Sequence, residues 1–244
     1  MLKTRDILDL INGIAPFEIA DSWDNSGLQV GNLEWDVKKV MIGLDLSMPL
    51  MNAAIEKKCD LVLTHHPLMI QPEKNIDFGR LPGSAVEAAA KHRISIVSAH
   101  TNLDKAKNGL NDFFASKIGL LDTNIFVVDE QSAKRYGQDI GIGRIGSLKS
   151  ADTFEQIIKQ VKENLNLPYL RVIGDLNLLV KTVAICTGSG GSLLNDFLRS
   201  DADVYITGDI KYHEARSVEL SSKGIIDVGH FGSEHMAIDL LYDK

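Results

Sequence analysis

The chain has 244 residues, of which 44% are hydrophobic and 24% are charged, and its formal net charge at pH 7 is -7. This composition is typical of a globular protein and excludes a disordered or fibrous chain. The acidic balance gives no overall positive field for nucleic acid, and no apolar run approaches the roughly 18 residues of a membrane span, so we expect a cytoplasmic protein without nucleic-acid or membrane partners.

The first half of the chain alternates helical and strand-like patterns. A helix is predicted from Thr4, as its cap, to Ile14, with Pro16 as the stop, and a short strand is predicted at Leu28 to Gly31. The later predicted elements of this half are strands at 40–44, 61–63, 94–97 and 125–128 and helices around 50–55, 86–91 and 109–118. Strands that alternate with helices favour an α/β fold with parallel strands.

The second half repeats this order. An amphipathic helix is predicted at Thr153 to Leu165, followed by a strand at Val183 to Cys186, a helix around Leu193 to Leu198 and a strand at Val204 to Ile206. A shift of 143 positions aligns Val40 with Val183, and seven residues are identical in the thirty-residue block. This repetition is more than the roughly two matches expected by chance.

The repetition predicts two similar, pseudo-symmetric α/β domains from an internal duplication, at 1–125 and 126–244, the second including a short connecting segment at about 126–180. A shift of 130 positions places His100 on His230 and Asp104 on Glu234. Ligands at strand ends of both domains would then converge on one cleft. The alternative is that any two strand-helix-strand units resemble each other at this level.

Candidate metal ligands follow predicted strands in both halves. His65 and His66 come directly after the strand at 61–63, and adjacent histidines on extended backbone point in opposite directions, so one pair can serve two ions. Glu234 lies four residues after His230, on the same face of a helical turn. Asp104 is open to another interpretation, because Asn108 and Gly109 follow it and it can be a loop or capping residue.

Imidazole with carboxylate suits zinc, iron, manganese or nickel better than magnesium or calcium. The sequence therefore predicts a site for two divalent metal ions, held by His65, His66, Asp104, His230 and Glu234. Two ions about 3.5 to 4 Å apart activate water for attack at neutral pH. The identity of the metal stays open.

Other polar positions have two interpretations each. His100, Asp209 and His213 are either hydrogen-bonding partners of ligands or ordinary strand-end and helix residues. The glycine-rich turn Thr187 to Ser192 is either a phosphate cradle or a tight turn, and the loop Trp23 to Asn25 is either a lid or an exposed turn anchored by a buried tryptophan. Cys59 and Cys186 are expected to be buried thiols.

Five motifs together resemble the Nif-three-like dinuclear metal proteins, known as GTP cyclohydrolase 1 type 2 homologs. They are Asp21 to Gly31, Thr64 to Pro67, His100 to Asp104, Ile206 to Asp209 and Gly229 to Glu234, in this order over essentially the whole chain. The resemblance implies a two-domain α/β fold with a di-metal site between the halves and a toroidal homohexamer. It implies the same five ligands, with Glu234 bridging the ions.

Two functions are compatible with these residues. The first is a dinuclear metal-dependent hydrolase of a nucleotide-like or phosphorylated small molecule, with metal-bound hydroxide as nucleophile and His100 as proton shuttle. The second is a non-catalytic metal-binding or metal-delivery scaffold that acts through partner interaction. The sequence leaves the substrate unknown, and a cyclohydrolase-type activity is implied by the resemblance alone.

Overall fold

The computed structural model describes residues 1–136 and 140–244 and divides the chain into two compact units. Unit 1 comprises residues 1–106 and 237–244, and unit 2 comprises residues 107–236. The boundary differs from the predicted one after residue 125, because the helix Leu110–Ile118 packs on three strands of unit 2. The last helix, Ala237–Tyr242, packs instead on a strand of unit 1.

Unit 1 is built on a four-stranded sheet in the order β2-β6-β5-β4. Its elements are β1 Leu2–Lys3, α1 Thr4–Ile14, β2 Gly27–Val30, β3 Asp36–Val37, β4 Val40–Gly43, α2 Met48–Glu56, β5 Leu61–Thr64, α3 Gly83–His92, β6 Ser95–Ser98 and α4 Thr101–Lys105. Strands β4, β5 and β6 are parallel, and β2 pairs antiparallel with β6 at the edge. Met51, Ala89, Val62 and Ile96 pack in its core.

Unit 2 contains a six-stranded sheet in the order β7-β8-β10-β11-β12-β9. Its elements are α5 Leu110–Ile118, β7 Leu121–Val128, α6 Glu130–Tyr136, β8 Gly141–Thr153, α7 Phe154–Asn164, β9 Arg171–Ile173, β10 Leu179–Ser189, α8 Leu194–Arg199, β11 Val204–Gly208, α9 Tyr212–Glu219, β12 Gly224–Asp227 and α10 His230–Glu234. The last helix of the chain is α11, Ala237–Tyr242. Phe197, Tyr205 and Ile225 form part of the core of unit 2. The α/β class predicted from the sequence is confirmed.

The two units share one strand arrangement. In unit 2 the parallel strands β10, β11 and β12 are followed at the edge by antiparallel β9, which matches the order β4, β5, β6 and β2 in unit 1. Asp60 Oδ2 accepts hydrogen bonds from the amides of residues 38 and 39, and Asp203 Oδ2 accepts from those of residues 181 and 182. These bonds fall at the predicted shift of 143 positions. The duplication itself stays a prediction.

The units differ by one residue at the exit of the third parallel strand. The amide of Ala99 donates to the carbonyl of Thr64, and the amide of Val228 donates to the carbonyl of Thr207. His100 follows Ala99 directly, whereas Gly229, with a φ of 75°, stands between Val228 and His230. The extra residue needs the left-handed backbone conformation that glycine adopts at low cost.

The predicted connecting segment at about 126–180 contains strands of the main sheet of unit 2. The sequence predicts a connection here, but β8 pairs antiparallel with both β7 and β10. Glycines at 141, 143 and 146 interrupt the alternation of apolar and polar residues that would have identified this strand. At Gly141 the backbone of Val127 approaches so closely that a Cβ atom would overlap it, so the strand pairing itself requires the glycine.

Local signals agree with most of the predicted helix ends. The hydroxyl of Thr153 accepts a hydrogen bond from the amide of Gln156 and caps α7 as predicted. Thr4 is not the cap of α1, because its hydroxyl lies 2.8 Å from that of Ser95 and the Asp6 carboxylate receives the Lys3 amide instead.

The two cysteines lie in different cores, Cys59 in unit 1 and Cys186 in unit 2, and both are buried as predicted. Within residues 1–136 and 140–244, no helix is both long and apolar enough to cross a membrane.

Candidate metal centre

Three histidines of unit 1 lie together at the carboxyl ends of two adjacent strands. His65 and His66 follow β5, and His100 follows β6. Their ring centroids are 5.0 Å apart for His65 and His66, 5.2 Å for His65 and His100, and 5.5 Å for His66 and His100. One nitrogen of each ring lies within 4.8 Å of those of the other two. Parallel pairing of β5 and β6 brings the strand ends to the same edge, which explains the cluster.

Each of these rings is fixed by a hydrogen bond at Nδ1. His65 Nδ1 lies 2.8 Å from the carbonyl oxygen of Ala99, His66 Nδ1 lies 2.7 Å from Asp45 Oδ1, and His100 Nδ1 lies 2.8 Å from Asp24 Oδ1. Since carbonyl and carboxylate oxygens accept, Nδ1 carries the hydrogen in each neutral ring. The lone pair is then on Nε2, the tautomer in which metal-binding histidines are held by such oxygens.

Asp104 lies in α4, one turn after His100, and it is 6% exposed. Its Oδ1 is 3.8 Å from Nε2 of His65. Two donor atoms on one divalent ion, with bond lengths of about 2.0 to 2.2 Å, lie roughly 3 to 4 Å apart. The pair therefore has a spacing suitable for shared coordination, and we refer to His65, His66 and Asp104 as the unit 1 ligand group.

The other two candidate ligands, His230 and Glu234, form the unit 2 ligand group on α10. Nε2 of His230 lies 3.0 Å from Oε2 of Glu234, and Nδ1 lies 2.7 Å from Oδ2 of Asp209. The predicted turn that places both residues on one face is confirmed. Asp209, at the exit of β11, thus orients His230, which agrees with the first of the two interpretations left open by the sequence.

The hydrogen bond to Glu234 raises the pKa of His230 to about 9; burial acts in the opposite direction, and the charge of Glu234 and the contact with Asp209 raise it further. At neutral pH the ring is therefore protonated at Nε2 in the protein without metal. An ion that binds at this nitrogen has to displace the proton.

The glycine-rich turn at the end of β10 supports the unit 2 ligand group. Gly188 has a φ of 66°, and a Cβ atom there would overlap Oε1 of Glu234 and lie 3.5 Å from Cε1 of His230. Its amide donates to the hydroxyl of Ser233 at 2.8 Å, and that hydroxyl donates to the carbonyl of His230 at 2.9 Å. The absence of a side chain at residue 188 thus makes room for the carboxylate.

Two more amides of the turn donate hydrogen bonds to other parts of unit 2. The amide of Thr187 donates to Oδ1 of Asn111 at 3.0 Å, and the amide of Gly190 donates to the carbonyl of Gly208. Of the two interpretations of Thr187 to Ser192, the tight turn agrees with these contacts. The amides of Thr187, Gly188 and Gly190 are engaged with the protein.

The loop before β2 holds His100 through a buried carboxylate. Asp24 receives hydrogen bonds from the His100 ring, from the amide and hydroxyl of Thr101, and from the hydroxyl of Ser26. Burial would raise the pKa of Asp24, but these hydrogen bonds and the charge of His100 outweigh it and hold the pKa well below its usual range.

Trp23 is not the buried anchor of this loop. It is 52% exposed and its ring meets the His100 ring edge to face at 5.9 Å. His213 is exposed on α9, where its ring contacts Tyr212. It is not part of either ligand group.

The sequence analysis did not predict the roles of several residues that shape the site. Asp45 follows β4 and Gly188 lies at the end of β10, and the predicted ligands also lie near strand ends. This common position could have identified both residues from the sequence. Ser233 lies between two expected ligands, but nothing in its sequence position shows that its hydroxyl bonds the turn at residue 188.

The donors in both groups fit divalent transition metals. They combine imidazole nitrogens with carboxylate oxygens, and the described ligand groups contain no thiolate. His65, His66 and Asp104 would hold metal in unit 1, and His230 and Glu234 would do so in unit 2.

Curated proteins similar to the chain are known as GTP cyclohydrolase 1 type 2 homologs. One from Clostridium perfringens is 36% identical over 96% of this chain and 87% of its own length. One from Clostridium acetobutylicum is 32% identical over 100% of this chain and 89% of its own length.

Solved structures have the same fold. A Bacillus cereus protein related to NIF3 has a TM-score of 0.89 at 25% identity, covering 99% of this chain and 92% of that one. HcgD from Methanocaldococcus jannaschii has a TM-score of 0.80 at 29% identity, with 99% and 90% covered. The family model described as Duf34/NIF3 (NGG1p interacting factor 3) matches residues 2–244, and the chain belongs to this family.

Proposed function

We propose that the chain is a dinuclear metal-dependent hydrolase of a nucleotide-like or phosphorylated small molecule. In this proposal the unit 1 and unit 2 ligand groups supply the ligands of two divalent ions. Membership of the Duf34/NIF3 family supports it, and so does the name GTP cyclohydrolase 1 type 2 homolog carried by relatives.

The observation that carries the proposal is the fixed orientation of the histidine rings. Nδ1 of His65, His66 and His230 each meets an oxygen atom at 2.7 to 2.8 Å. Rings fixed at Nδ1 in this way, with carboxylates at 3.8 Å and 3.0 Å from the Nε2 atoms of His65 and His230, have the arrangement in which metal-binding histidines are held by their partners. They are what a metal site requires.

The ions, when bound, supply Lewis acidity and lower the pKa of a water molecule toward neutrality. The protein residues then position substrate and move protons. His100 is the proposed proton shuttle, because Asp24 holds its Nδ1–H and leaves Nε2 to accept or donate a proton beside the histidine pair. Glu234 would supply a carboxylate ligand to the metal.

Metal content tests the first part of the proposal. After saturation with zinc, manganese or iron and removal of excess metal, elemental analysis should find about two ions per chain. His65→Gln and His230→Gln should each lose metal, whereas His92→Gln, a matched change of an exposed histidine on α3, should not. Fewer than two ions in the saturated wild type would contradict the dinuclear site.

A substrate screen separates hydrolysis from metal delivery. The metal-loaded protein should hydrolyse at least one nucleotide or phosphoester, and Glu234→Ala should abolish that turnover. If every compound is untouched while two ions are bound, the hydrolase proposal fails and the alternative of a metal-binding or delivery scaffold is supported.

The role of His100 has its own test. His100→Gln should keep the metal content and lower kcat about 100-fold with a small effect on KM, because general acid-base catalysis contributes typically 10²- to 10⁴-fold. A loss of metal in this variant would instead make His100 a ligand.

A further inference from the structure

A cavity of about 560 Å³ lies in unit 2 beside the unit 2 ligand group. Its walls are the segment 165–171, which leads into β9, and the residues from Asp227 to Gly232 with His235. Small-molecule sites typically have volumes of about 300 to 1,000 Å³. The cavity is therefore large enough for a small organic ligand.

Two aromatic side chains in the wall are unusually exposed. Tyr169 is 79% exposed and Phe231 is 67% exposed. The Phe231 ring stacks on the ring of His235, with centroids 5.3 Å apart and planes inclined by 18°. Neither exposed ring is needed to fill a core. Flat aromatic faces on a cavity wall are what a planar ring stacks on.

The cavity wall also includes a positively charged side chain, that of Arg171, which a buried carboxylate holds in place. Nη2 of Arg171 donates to the carboxylate of Asp227 and, at 3.0 Å, to the carbonyl of Ile210. The Asp227 side chain is 1% exposed and also accepts the amides of Ile210 and Gly229. The Arg171 side chain is 63% exposed. These bonds use both hydrogens of Nη2, so Nε–H and Nη1–H are available to an anion.

His230 and Asp209 line the same cavity. A molecule that fills it would therefore lie against the residue proposed to hold metal and against the carboxylate that orients it. This position distinguishes the cavity from an unrelated surface groove.

We infer that the cavity is the substrate's ring subsite, where a planar heteroaromatic ring stacks on Phe231 and Tyr169 and an anionic group of the same molecule contacts Arg171. The inference rests on the proposed function and narrows its substrate class to heteroaromatic compounds with a phosphate or similar anion. Phosphorylated compounds without a ring would bind much more weakly.

Binding to the metal-free protein provides the test. Adenosine monophosphate, guanosine monophosphate and ribose 5-phosphate are titrated calorimetrically into full-length protein kept in chelator. At least one of the two nucleotides should bind at least tenfold more tightly than ribose 5-phosphate. Phe231→Ala and Tyr169→Ala should each weaken nucleotide binding about tenfold, because each variant removes one aromatic ring on which the base stacks.

Tyr212→Ala is the matched control, since Tyr212 is 72% exposed in the same unit and lies outside the cavity wall. It should bind nucleotide as the wild type does. Arg171→Lys should weaken the binding of nucleotide and of ribose 5-phosphate to a similar extent, because both compounds share the phosphate that contacts Arg171.

The inference is overturned if neither nucleotide binds, or if Phe231→Ala and Tyr169→Ala bind as Tyr212→Ala does. The outcome is separable from that of the proposed function. If binding depends on the ring but no compound is hydrolysed, the subsite is supported and the proposed hydrolase activity is contradicted. If hydrolysis occurs and these variants do not affect it, the hydrolase activity is supported and the subsite is contradicted.

Discussion

Each proposed histidine ligand of the candidate metal centre is oriented by one acceptor oxygen at its Nδ1 atom. Asp45 and Asp209 each hold the Nδ1 atom of one proposed ligand, and a backbone carbonyl holds that of His65. A metal site depends on such partners because they fix both ring orientation and tautomer. Substitutions at these positions should therefore affect metal binding without removing a ligand.

Gly188→Ala should weaken metal binding at least tenfold. The new Cβ would overlap Oε1 of Glu234 and displace that carboxylate. Gly119→Ala is the matched control, because Gly119 also has a positive φ, 85°, but has open space around its Cβ position. The control should lose about 1 kcal/mol of stability and keep its metal. Zinc titration and elemental analysis measure the difference, and equal affinities in the two variants would refute this role of Gly188.

Asp24→Asn should lower stability at pH 7 by about 2 kcal/mol, because a buried carboxylate with charge-assisted hydrogen bonds is lost. The pKa of Asp24 is lower in the folded chain than its ordinary value of 3.8. Its contribution to stability is therefore present above 3.8 and is lost as the pH falls below that value and through the folded pKa.

Urea unfolding of metal-free protein at several pH values checks this prediction. The difference between wild type and Asp24→Asn should shrink as the pH falls toward 3. Asp36→Asn, at an exposed strand position, serves as the control and should show little change. A difference that is independent of pH would show that Asp24 does not act through its charge.

Among the elements, the parallel strands of the two units begin in the same way. In each unit, the aspartate that precedes the second parallel strand binds two backbone amides at the start of the first. An aspartate in this position compensates amides that would otherwise lack a partner at the sheet end. The shift of 143 positions aligns Asp60 with Asp203, and this shared contact accounts for their identity.

Asp60→Asn and Asp203→Asn should each destabilise the protein by about 1 to 2 kcal/mol, by similar amounts, since each removes the charge from an acceptor of two hydrogen bonds. Asp201→Asn, an exposed neighbour, should change stability by less than about 0.5 kcal/mol. Urea denaturation followed by circular dichroism measures all three. A large difference between the first two variants would argue against equivalent roles in the two units.

For the whole molecule, the assembly implied by the family resemblance is a homohexamer, and it stays a prediction. The segment between β5 and α3 exposes four large hydrophobic residues, namely Ile70, Ile76, Phe78 and Leu81. Apolar groups gathered on one exposed segment are typical of interaction surfaces.

Light scattering should therefore give a mass six times the 26.8 kDa of one chain. Because the prediction concerns a stable assembly, the mass should not change over a tenfold range of protein concentration. A mass of one chain at the highest concentration would exclude the hexamer.

Much of the fold and of the candidate site is readable from local patterns. Helices such as α1 and α7 have apolar residues at helical spacing and clear ends, and strands such as β5 and β11 are short apolar runs. The proposed ligands were identified because they follow such strands. Strand β8 was missed because its glycines, which serve close backbone contacts, erase the alternating pattern.

The sequence by itself determined the class of fold, the parallel strand-helix-strand order of both halves and the five proposed ligands, because each depends on residues close together in the chain. Only the tertiary structure decided that Asp24, Asp45 and Asp209 orient histidines 21 or 76 positions away. It also decided that the turn at Gly188 makes room for Glu234. Such contacts depend on which strands become neighbours, and local patterns carry no information on distances between segments that folding brings together.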